Sequence, residues 1–579
     1  MASQMTYNIQ TKHTKPFPDQ KPGTSGLRKP TKTFMQPLYT ENFVQSVLTA
    51  GLHDLLEARQ HVRLVLGGDG RYFVKESLLN IIIPICAANG VSEVLVGQSG
   101  ILSTPAASCV IRKYNLNGGI ILTASHNPGG PDADFGIKYN CENGGPAPEK
   151  VTNKIFEISK GLTQYKTLGQ PMELNLDTIG ASSFQLDNGQ VFRVNVISSV
   201  DDYANYISTL FDFEAIRNLL SGQGGQAPFK LLVSGLHGVT GPYIKEIFCK
   251  RLGMPVSCAL KAEPLVDFGR GHPDPNLTYA ADLVQAVIDD KSVSFAAAFD
   301  GDGDRNMLIG QRGFFISPCD SLAVIADNAM SIKYFQQTGL RGCARSMPTS
   351  RALDRVCMAK NIPYFEVPTG WKFFGNLMDA KMCSLCGEES FGTGSDHIRE
   401  KDGIWALLAW LSILARRQQI GKPVDVESIM REHWGTYGRY FFTRYDYENC
   451  TTAQGEEIMS QLQALLREGV SNRVFDTTSG RQFKGQFCDD FSYSDPVDRS
   501  QTTNQGIRVT FSDGTRFVYR LSGTGSSGAT LRVYVDTFEA DPVQQALLSQ
   551  VYLQPHIELA LKLCNVNKIT GRTAPTVIT

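Results

Sequence analysis

The 579-residue sequence predicts an α/β protein of four domains, three of similar mixed α/β build and a C-terminal one of α+β type. The chain is too long for one hydrophobic core. Short apolar runs alternate with amphipathic stretches, and this pattern occurs three times. After Trp434 the composition becomes aromatic and turn-rich, with a hairpin signal at Asp513-Gly514.

The first domain is expected over 1–199. There "VRLVLGGDG" reads as a strand ending in a glycine turn, "VKESLLNIII" as a helix and "EVLVG" as a second strand. Thr104-Pro105 reads as an N-cap followed by proline at the first helical position, and "GIILTAS" as a third strand with Ser125 at its carboxyl end. "PFKLLVSGL", "MPVSCAL" and "SFAAAFD" repeat the pattern over 200–316, and "GCARS", "PYFEVP" and "CSLCGEES" repeat it over 317–432. The α+β part is 433–579, with "IRVTF" and "RFVYRL" as its hairpin. Ligands of open α/β sheets sit beyond the carboxyl ends of strands, so the loops after the strands are where chemistry is expected.

A hydrophobic content of 42% and a charged content of 20% are those of an ordinary globular protein. The formal charge of -1 gives no electrostatic reason for a nucleic-acid or acidic-membrane partner. Residues 1 to 32 are polar, without the apolar core of a secretory signal. The most apolar helical candidate, Gly403 to Leu414, falls short of the about 20 residues of a bilayer span. Thirteen scattered cysteines, an odd number, fit reduced thiols, so a cytoplasmic protein without a membrane span is expected. Cys383 and Cys386 have C-x-x-C spacing but no second pair for zinc, and read as buried small hydrophobes. The N-x-[ST] matches at Asn276 and Asn449 carry little weight without a signal.

Four loops look chemical. "FDGDGDRN" sets Asp300, Asp302 and Asp304 at alternate positions, so in an extended segment their carboxylates point the same way, and the glycines let the backbone wrap. Three hard oxygen ligands with net negative charge suit Mg2+ or a similar hard cation. Arg305 and Gln311 stand where an EF-hand needs glycine and glutamate, and a strict D-G-D-G-D after an apolar strand weighs against a mere acidic turn. "RLSGTGSSGATLR" is a glycine-rich loop with Arg520 and Arg532 at its ends. Its backbone N–H groups and an arginine fork can converge on phosphate, and the paired arginines separate it from a plain glycine hairpin.

"CGEESFGTGSDHIREKDG" gathers Glu388, Glu389, Ser390, His397 and Lys401, a set suited to a polyol such as a sugar, although charged loops are commonly just solvated. "PTGWKFF" supports it, with Trp371 expected to be packed. In "ILTASHNPGGPDADFGIKYN", Ser125 and His126 are either reactive or a strand-capping turn. Neighbouring side chains on an extended chain point to opposite faces, so sequence alone does not place His126 against Ser125. The G-x-S-x-G elbow of serine hydrolases is missing. Metal, anion and polyol loops together point to phosphate chemistry at Ser125.

These motifs, with "KPGTSGLRK", "GGDGRYF", "ARSMPTS" and "TGRTAPTVIT", closely resemble the phosphoglucomutase family of the α-D-phosphohexomutase superfamily along essentially the whole chain. The resemblance implies a four-domain enzyme around a central cleft, interconverting glucose 1-phosphate and glucose 6-phosphate through a phosphoserine and a glucose 1,6-bisphosphate intermediate. It makes Ser125 the phosphoserine, and gives Mg2+ to Asp300, Asp302, Asp304 and the phosphate on Ser125. His126, Lys138 and Lys401 become the candidates for proton transfer. Arg28 and Lys138 would line the transfer site, with Arg305 beside the phosphate; Glu388 and Ser390 would bind the sugar, with Thr369 and Gly370 at the same site; Arg520, Ser522, Thr524 and Arg532 would hold the non-reacting phosphate. The implied partners are small-molecule sugar phosphates, and the implied assembly is a monomer or weak dimer.

Asp132-Ala133 stands where many relatives carry Asn-Gly, and Arg351 where glycine is common; both are expected to affect local loop shape alone. Two rival readings are an inactive structural paralogue of the aciculin type and a mutase that prefers mannose. The intact "TASHNPGG" and "RLSGTGSSGA" argue against the first, and the long form of the sugar loop argues against the second.

Overall fold

The computed structural model describes residues 5–23, 25–222, 227–525 and 528–579, without the side chains of 523–525. Three of its sheets share one local plan. In the first, Val191–Ile197, Glu93–Ile101, Arg63–Gly68 and Gly118–Leu122 run parallel, followed by antiparallel Asp134–Cys141 and Leu27–Pro30. In the second, Ala259–Leu260, Lys230–Ser234 and Val293–Phe299 are parallel and Asn306–Gly310 is antiparallel. In the third, Tyr364–Val367, Cys343–Ser346 and Leu385–Gly387 are parallel and Thr393–Ser395 is antiparallel. Each time the last parallel strand turns straight back on itself. The serine, aspartate and sugar loops are those three returns, so they occupy one topological position, beyond the carboxyl end of a parallel strand.

The fourth sheet is antiparallel and seven-stranded, and its glycine-rich loop is the turn between Arg516–Gly525 and Gly528–Glu539. The burial patterns explain the two kinds of sequence. Val293–Phe299 is covered on both faces and reads as a continuous apolar run, whereas Ile507–Phe511 alternates buried and half-buried residues.

Several elements differ from expectation. The cap of helix Thr104–Tyr114 is Ser103, whose hydroxyl accepts from Ala106 N, and Thr104 lies inside the first turn. "VKESLLNIII" is helical but contains a π-turn, Leu78–Ile82, directly before Pro84, which lacks an N–H for the regular ladder. "MPVSCAL" becomes a short 3-10 turn at Val256–Cys258 and a two-residue strand, after Pro255. The apolar helix continues past Leu414 to Gln419 and is buried on nearly every face between the second and third sheets. An all-round apolar helix is thus internal here, and no helix among the described residues is long and apolar enough to cross a membrane. All thirteen cysteines are free, and Cys383 and Cys386 are fully buried.

One apolar cluster runs through the second and third units and takes in the helix Thr104–Tyr114 of the first, while the fourth unit has its own core. The seam between third and fourth units is mainly polar. Arg516 donates to the carbonyls of Met347 and Thr349 at 2.8 Å, and Arg508 to Glu366 at 2.8 Å. Arg351 does more than shape its own loop, because its guanidinium crosses this seam to the carbonyl of Gly514 and lies 3.4 Å from Asp536 Oδ1.

His556 is fully buried in the fourth core beside Phe483 and Tyr552, and burial pushes its imidazole down to about 3. An unfolded histidine titrates near 6.5, so the contribution of the neutral ring is complete above about 6.5 and is lost as the pH falls towards 3. Urea unfolding is expected to show about 1–2 kcal/mol of stability lost at about pH 5 relative to about pH 7.5 from this site, and His556→Leu should remove that part of the slope.

Candidate active site

The serine loop is organised by one buried ion pair. Asp69 and Arg71, in the turn after strand Arg63–Gly68, are 2.9 Å apart and inaccessible to solvent. Arg71 donates to the carbonyls of Ser125 at 2.9 Å and Asp134 at 2.8 Å. Asp69 accepts from Thr123 Oγ1 at 2.6 Å, and that oxygen accepts from Ser125 N at 2.7 Å. The strand accordingly stops at Leu122, and Ser125 sits in the turn beyond it with a left-handed φ of 54°. This conformation is strained for serine and is held by the bonds around it. It also breaks the alternation expected of an extended chain, leaving His126 Nδ1 3.4 Å from Ser125 Oγ.

The Ser125 hydroxyl donates to Asp300 Oδ2 at 2.9 Å. The aspartate segment is a tight turn after Phe299, not an extended strand, and its carboxylates converge because the chain wraps with Gly303 at φ 79°. A Cβ on Gly301 would lie 2.5 Å from the Ser125 carbonyl oxygen, so the two loops nest only with glycine there. One ligand oxygen from each of Asp300, Asp302 and Asp304 lies within 4.8 Å of the others. Asp302 Oδ2 accepts from Thr104 Oγ1 at 2.6 Å, Asp302 Oδ1 has no hydrogen-bond partner, and Asp304 Oδ1 meets only the Lys401 ammonium, 3.3 Å away. Burial and the charges of Asp302 and Asp304 hold Asp300 well above the usual carboxylate range. Crowded, buried and partly unsatisfied carboxylates are the donor set that a hard divalent cation fits.

Next to this cluster opens a cleft of about 600 Å³ lined by all four units. The first gives Arg28, His126 and Lys138, the second Asp274, Asp304 and Arg305, the third Thr369, Gly370, Glu388, Ser390 and Lys401, and the fourth Arg444, Arg520 and Arg532. Burial, then Arg305 and Arg28, hold His126 well below its usual value, so it is neutral at neutral pH. Burial works against the charge of Lys401, but Asp304, Glu388 and Asp300 outweigh it and raise its pKa; its ammonium is 3.3 Å from Asp304 Oδ1. Lys138 is paired with Glu400, which also accepts from Asn140 at 2.8 Å. Gly370 N donates to Glu388 Oε1 at 3.2 Å, bringing "PTGW" to the sugar loop.

Arg520 and Arg532 are direct register partners across two antiparallel strands. Opposed like charges destabilise a strand pair, an arrangement that a bound anion relieves. Ser522 is outside the cleft lining, 3.5 Å from the Thr530 carbonyl, and the Thr524 side chain lies outside the described residues. His397 also turns away, bonded to Ser395 and Asp402 and stacked between Tyr206 and Trp405. Sequence reasoning missed Asp69, Arg71, Asp274, Glu400, Arg444 and Asp446. The charges immediately after the glycines in "GGDGRYF" were a usable signal, as was the alternation of charge with aromatics in "RYFFTRYDY".

Family models for phosphoglucomutase/phosphomannomutase alpha/beta/alpha domains I, II and III match residues 19–166, 201–313 and 318–437, and one for the phosphoglucomutase-1 C-terminal domain matches 439–576. The chain is 53% identical to phosphoglucomutase-1 of Oryctolagus cuniculus over 99% of its own length and 100% of that protein. It is 52% identical to a phosphoglucomutase of Populus tremula named cytoplasmic, over 99% and 100% of the two chains. Its structure is similar to the open form of the exocytosis-sensitive phosphoprotein pp63/parafusin, a phosphoglucomutase, from Paramecium, with a TM-score of 0.88 and 46% identity over all of both chains.

Arg71→Met is expected to cost about 3–5 kcal/mol in urea unfolding, because it leaves the Asp69 carboxylate buried without a partner. Adding Asp69→Asn should recover part of that loss.

Proposed function

The chain belongs to the phosphoglucomutase family, and on that premise we propose that it interconverts glucose 1-phosphate and glucose 6-phosphate through a phosphoserine at Ser125 and a glucose 1,6-bisphosphate intermediate. The observation that carries this reading is the contact of Ser125 Oγ with Asp300 Oδ2 at 2.9 Å, in a buried triple-aspartate turn beside a cleft that also holds the opposed Arg520 and Arg532.

Asp300, Asp302 and Asp304 would hold Mg2+ together with a phosphate oxygen on Ser125, and that ion supplies charge compensation to a loose, highly charged phosphoryl-transfer transition state. The protein's own groups position and neutralise. Arg28 and Arg305 face the transferring phosphoryl group, and Asp274, 3.7 Å from Arg305 Nη1, restrains that guanidinium. His126, neutral and 3.4 Å from Ser125 Oγ, is placed to accept a proton. Lys401, kept cationic by its carboxylate neighbours, would donate one or stabilise an oxyanion, and Lys138, paired with the adjacent Glu400, is the second candidate for that work.

Thr369, Gly370, Glu388 and Ser390 bind sugar hydroxyls, while Arg520 and Arg532 hold the phosphate that is not reacting, and the part of Ser522 and Thr524 in that cradle rests on the sequence motif alone. An arginine cradle that recognises only an anion accepts the 1-phosphate or the 6-phosphate, and so lets one serine serve both ends of the sugar. The working division is 1–199, 200–316, 317–432 and 433–579, the last cut falling within helix Val426–Tyr437. The ligands are small-molecule sugar phosphates, the assembly a monomer or weak dimer, and the location cytoplasmic, as in the name of the Populus relative.

Ser125→Ala should abolish turnover and keep the fold, at a cost of about 1–3 kcal/mol because the buried Asp300 Oδ2 loses its hydroxyl donor. Intact mass and phosphopeptide mapping after incubation with glucose 1,6-bisphosphate and Mg2+ should show one added phosphate on Ser125 in the wild type and none in the variant. Full turnover by the variant would overturn the phosphoserine route.

A further inference from the structure

The sugar loop turns on Glu389 and Ser390, closed by Glu388 N donating to the Gly392 carbonyl at 2.8 Å. Glu388, Glu389 and Ser390 all line the cleft, and Glu389 is at the same time bound to the body of the third unit. Its Oε2 accepts from Ser346 Oγ at 3.0 Å and lies 3.3 Å from Thr349 Oγ1, and its backbone N–H donates to that same threonine oxygen at 2.9 Å. The two hydroxyls are 2.6 Å apart. Among the described residues, Thr349 is therefore the one side chain that holds both the backbone and the carboxylate of the turn's crest.

Thr349 is held in turn by the fourth unit. Its carbonyl accepts from Arg516 Nη2 at 2.8 Å, Arg516 Nη1 reaches the Met347 carbonyl at 2.8 Å, and Arg516 Nε donates to Asp536 Oδ2 at 2.7 Å. Arg516 and Arg520 are on the same strand, at even spacing and hence on one face, so the strand that carries the distal arginine also carries the grip on Thr349. Glu389, Thr349, Arg516 and Asp536 are all at most 3% exposed. Buried polar groups in such a series move together or leave a group unsatisfied.

We propose that Thr349 is a positioning residue for sugar recognition, transmitting the seating of the fourth unit, through Arg516, to the Glu389 turn that presents Glu388 and Ser390. The proposal rests on the reading of the cleft as a sugar-phosphate site. It makes occupation of the distal phosphate site and grip on the sugar thermodynamically coupled, since each favours the same seated arrangement.

The test compares Thr349→Val, which keeps shape and loses the hydroxyl, with Thr349→Ser, which keeps the hydroxyl. Calorimetric Kd for glucose 1-phosphate and for inorganic phosphate is measured alongside kcat and KM. In the valine variant Kd and KM for glucose 1-phosphate should rise about tenfold, with kcat changed less and inorganic phosphate bound as in the wild type, while the serine variant stays within about threefold. Arg516→Lys, which keeps the charge beside Asp536 and touches no sugar ligand, should raise the same Kd, and it carries the test if the valine variant does not fold. Unchanged glucose 1-phosphate affinity, equal losses in the valine and serine variants, or an equal loss for inorganic phosphate would overturn the proposal. Binding is read without turnover, so a wild-type protein that binds glucose 1-phosphate but does not convert it would sink the mutase reading and leave this test intact.

Discussion

The guanidinium of Arg71 touches the carbonyls of Ser125, Asn127 and Asp134 at 2.9, 3.3 and 2.8 Å, and its charge is balanced by Asp69 alone. Those contacts turn a stretch of loop into a rigid shelf. The left-handed Ser125 depends on it, and the Ser125 carbonyl is the surface against which Gly301 packs. The aspartate turn is thus positioned by the serine loop's backbone as well as by the hydroxyl that Asp300 accepts. A pair this deeply buried adds little net stability over an apolar replacement. Its role is to fix a geometry that neither loop would adopt alone.

Charge is distributed over the cleft in a way that follows from phosphoryl transfer. Three carboxylates are gathered at the serine end, where burial and the charges of Asp302 and Asp304 push Asp300 up and Asp302 Oδ1 is left without a hydrogen bond. The fourth unit contributes Arg520, Arg532 and Arg444 to the cleft, with Asp446 in contact with two of them. An excess of carboxylate where a cation is needed, and of guanidinium where an anion is needed, is preorganisation: the groups already face the charges they will meet.

The sequence was informative where the deciding contacts are local. Apolar runs marked the strands of the parallel sheets, and D-G-D-G-D announced the aspartate turn, although it converges by wrapping and not by extension. Arg520 and Arg532 were legible because one hairpin joins them, and their register as direct opposites needed the strand pairing. Thr104 was read as a cap, since the hydroxyl's real partner, Asp302, is far along the chain. The role of Arg71 was hidden for the same reason: its partner Asp69 is next but one and the pair is visible in "GGDGRYF", yet what Arg71 holds is the loop at Ser125. His126 could not be placed, because the backbone reversal at Ser125 comes from those distant bonds.

The two kinds of interdomain contact have different mechanical consequences. The second and third units share one apolar core with a helix of the first, so separating them would expose the buried faces of Gly403–Gln419 and of Thr104–Tyr114. The fourth unit keeps its own core and meets the third through Arg351, Arg508 and Arg516 with a small apolar patch around Phe442 and Tyr534. Arginine bonds to carbonyls and carboxylates are directional, so they fix how the fourth unit sits on the third without the continuous apolar burial that joins the second and third. The serine, the aspartates and the sugar turn lie in the first three units, while the distal arginines lie in the fourth. A phosphoglucomutase has to recognise a sugar phosphate along its whole length, and the division between apolar core and polar seam sets the opposed Arg520 and Arg532 on a different unit from Ser125 and the aspartates while all of them meet at one cleft.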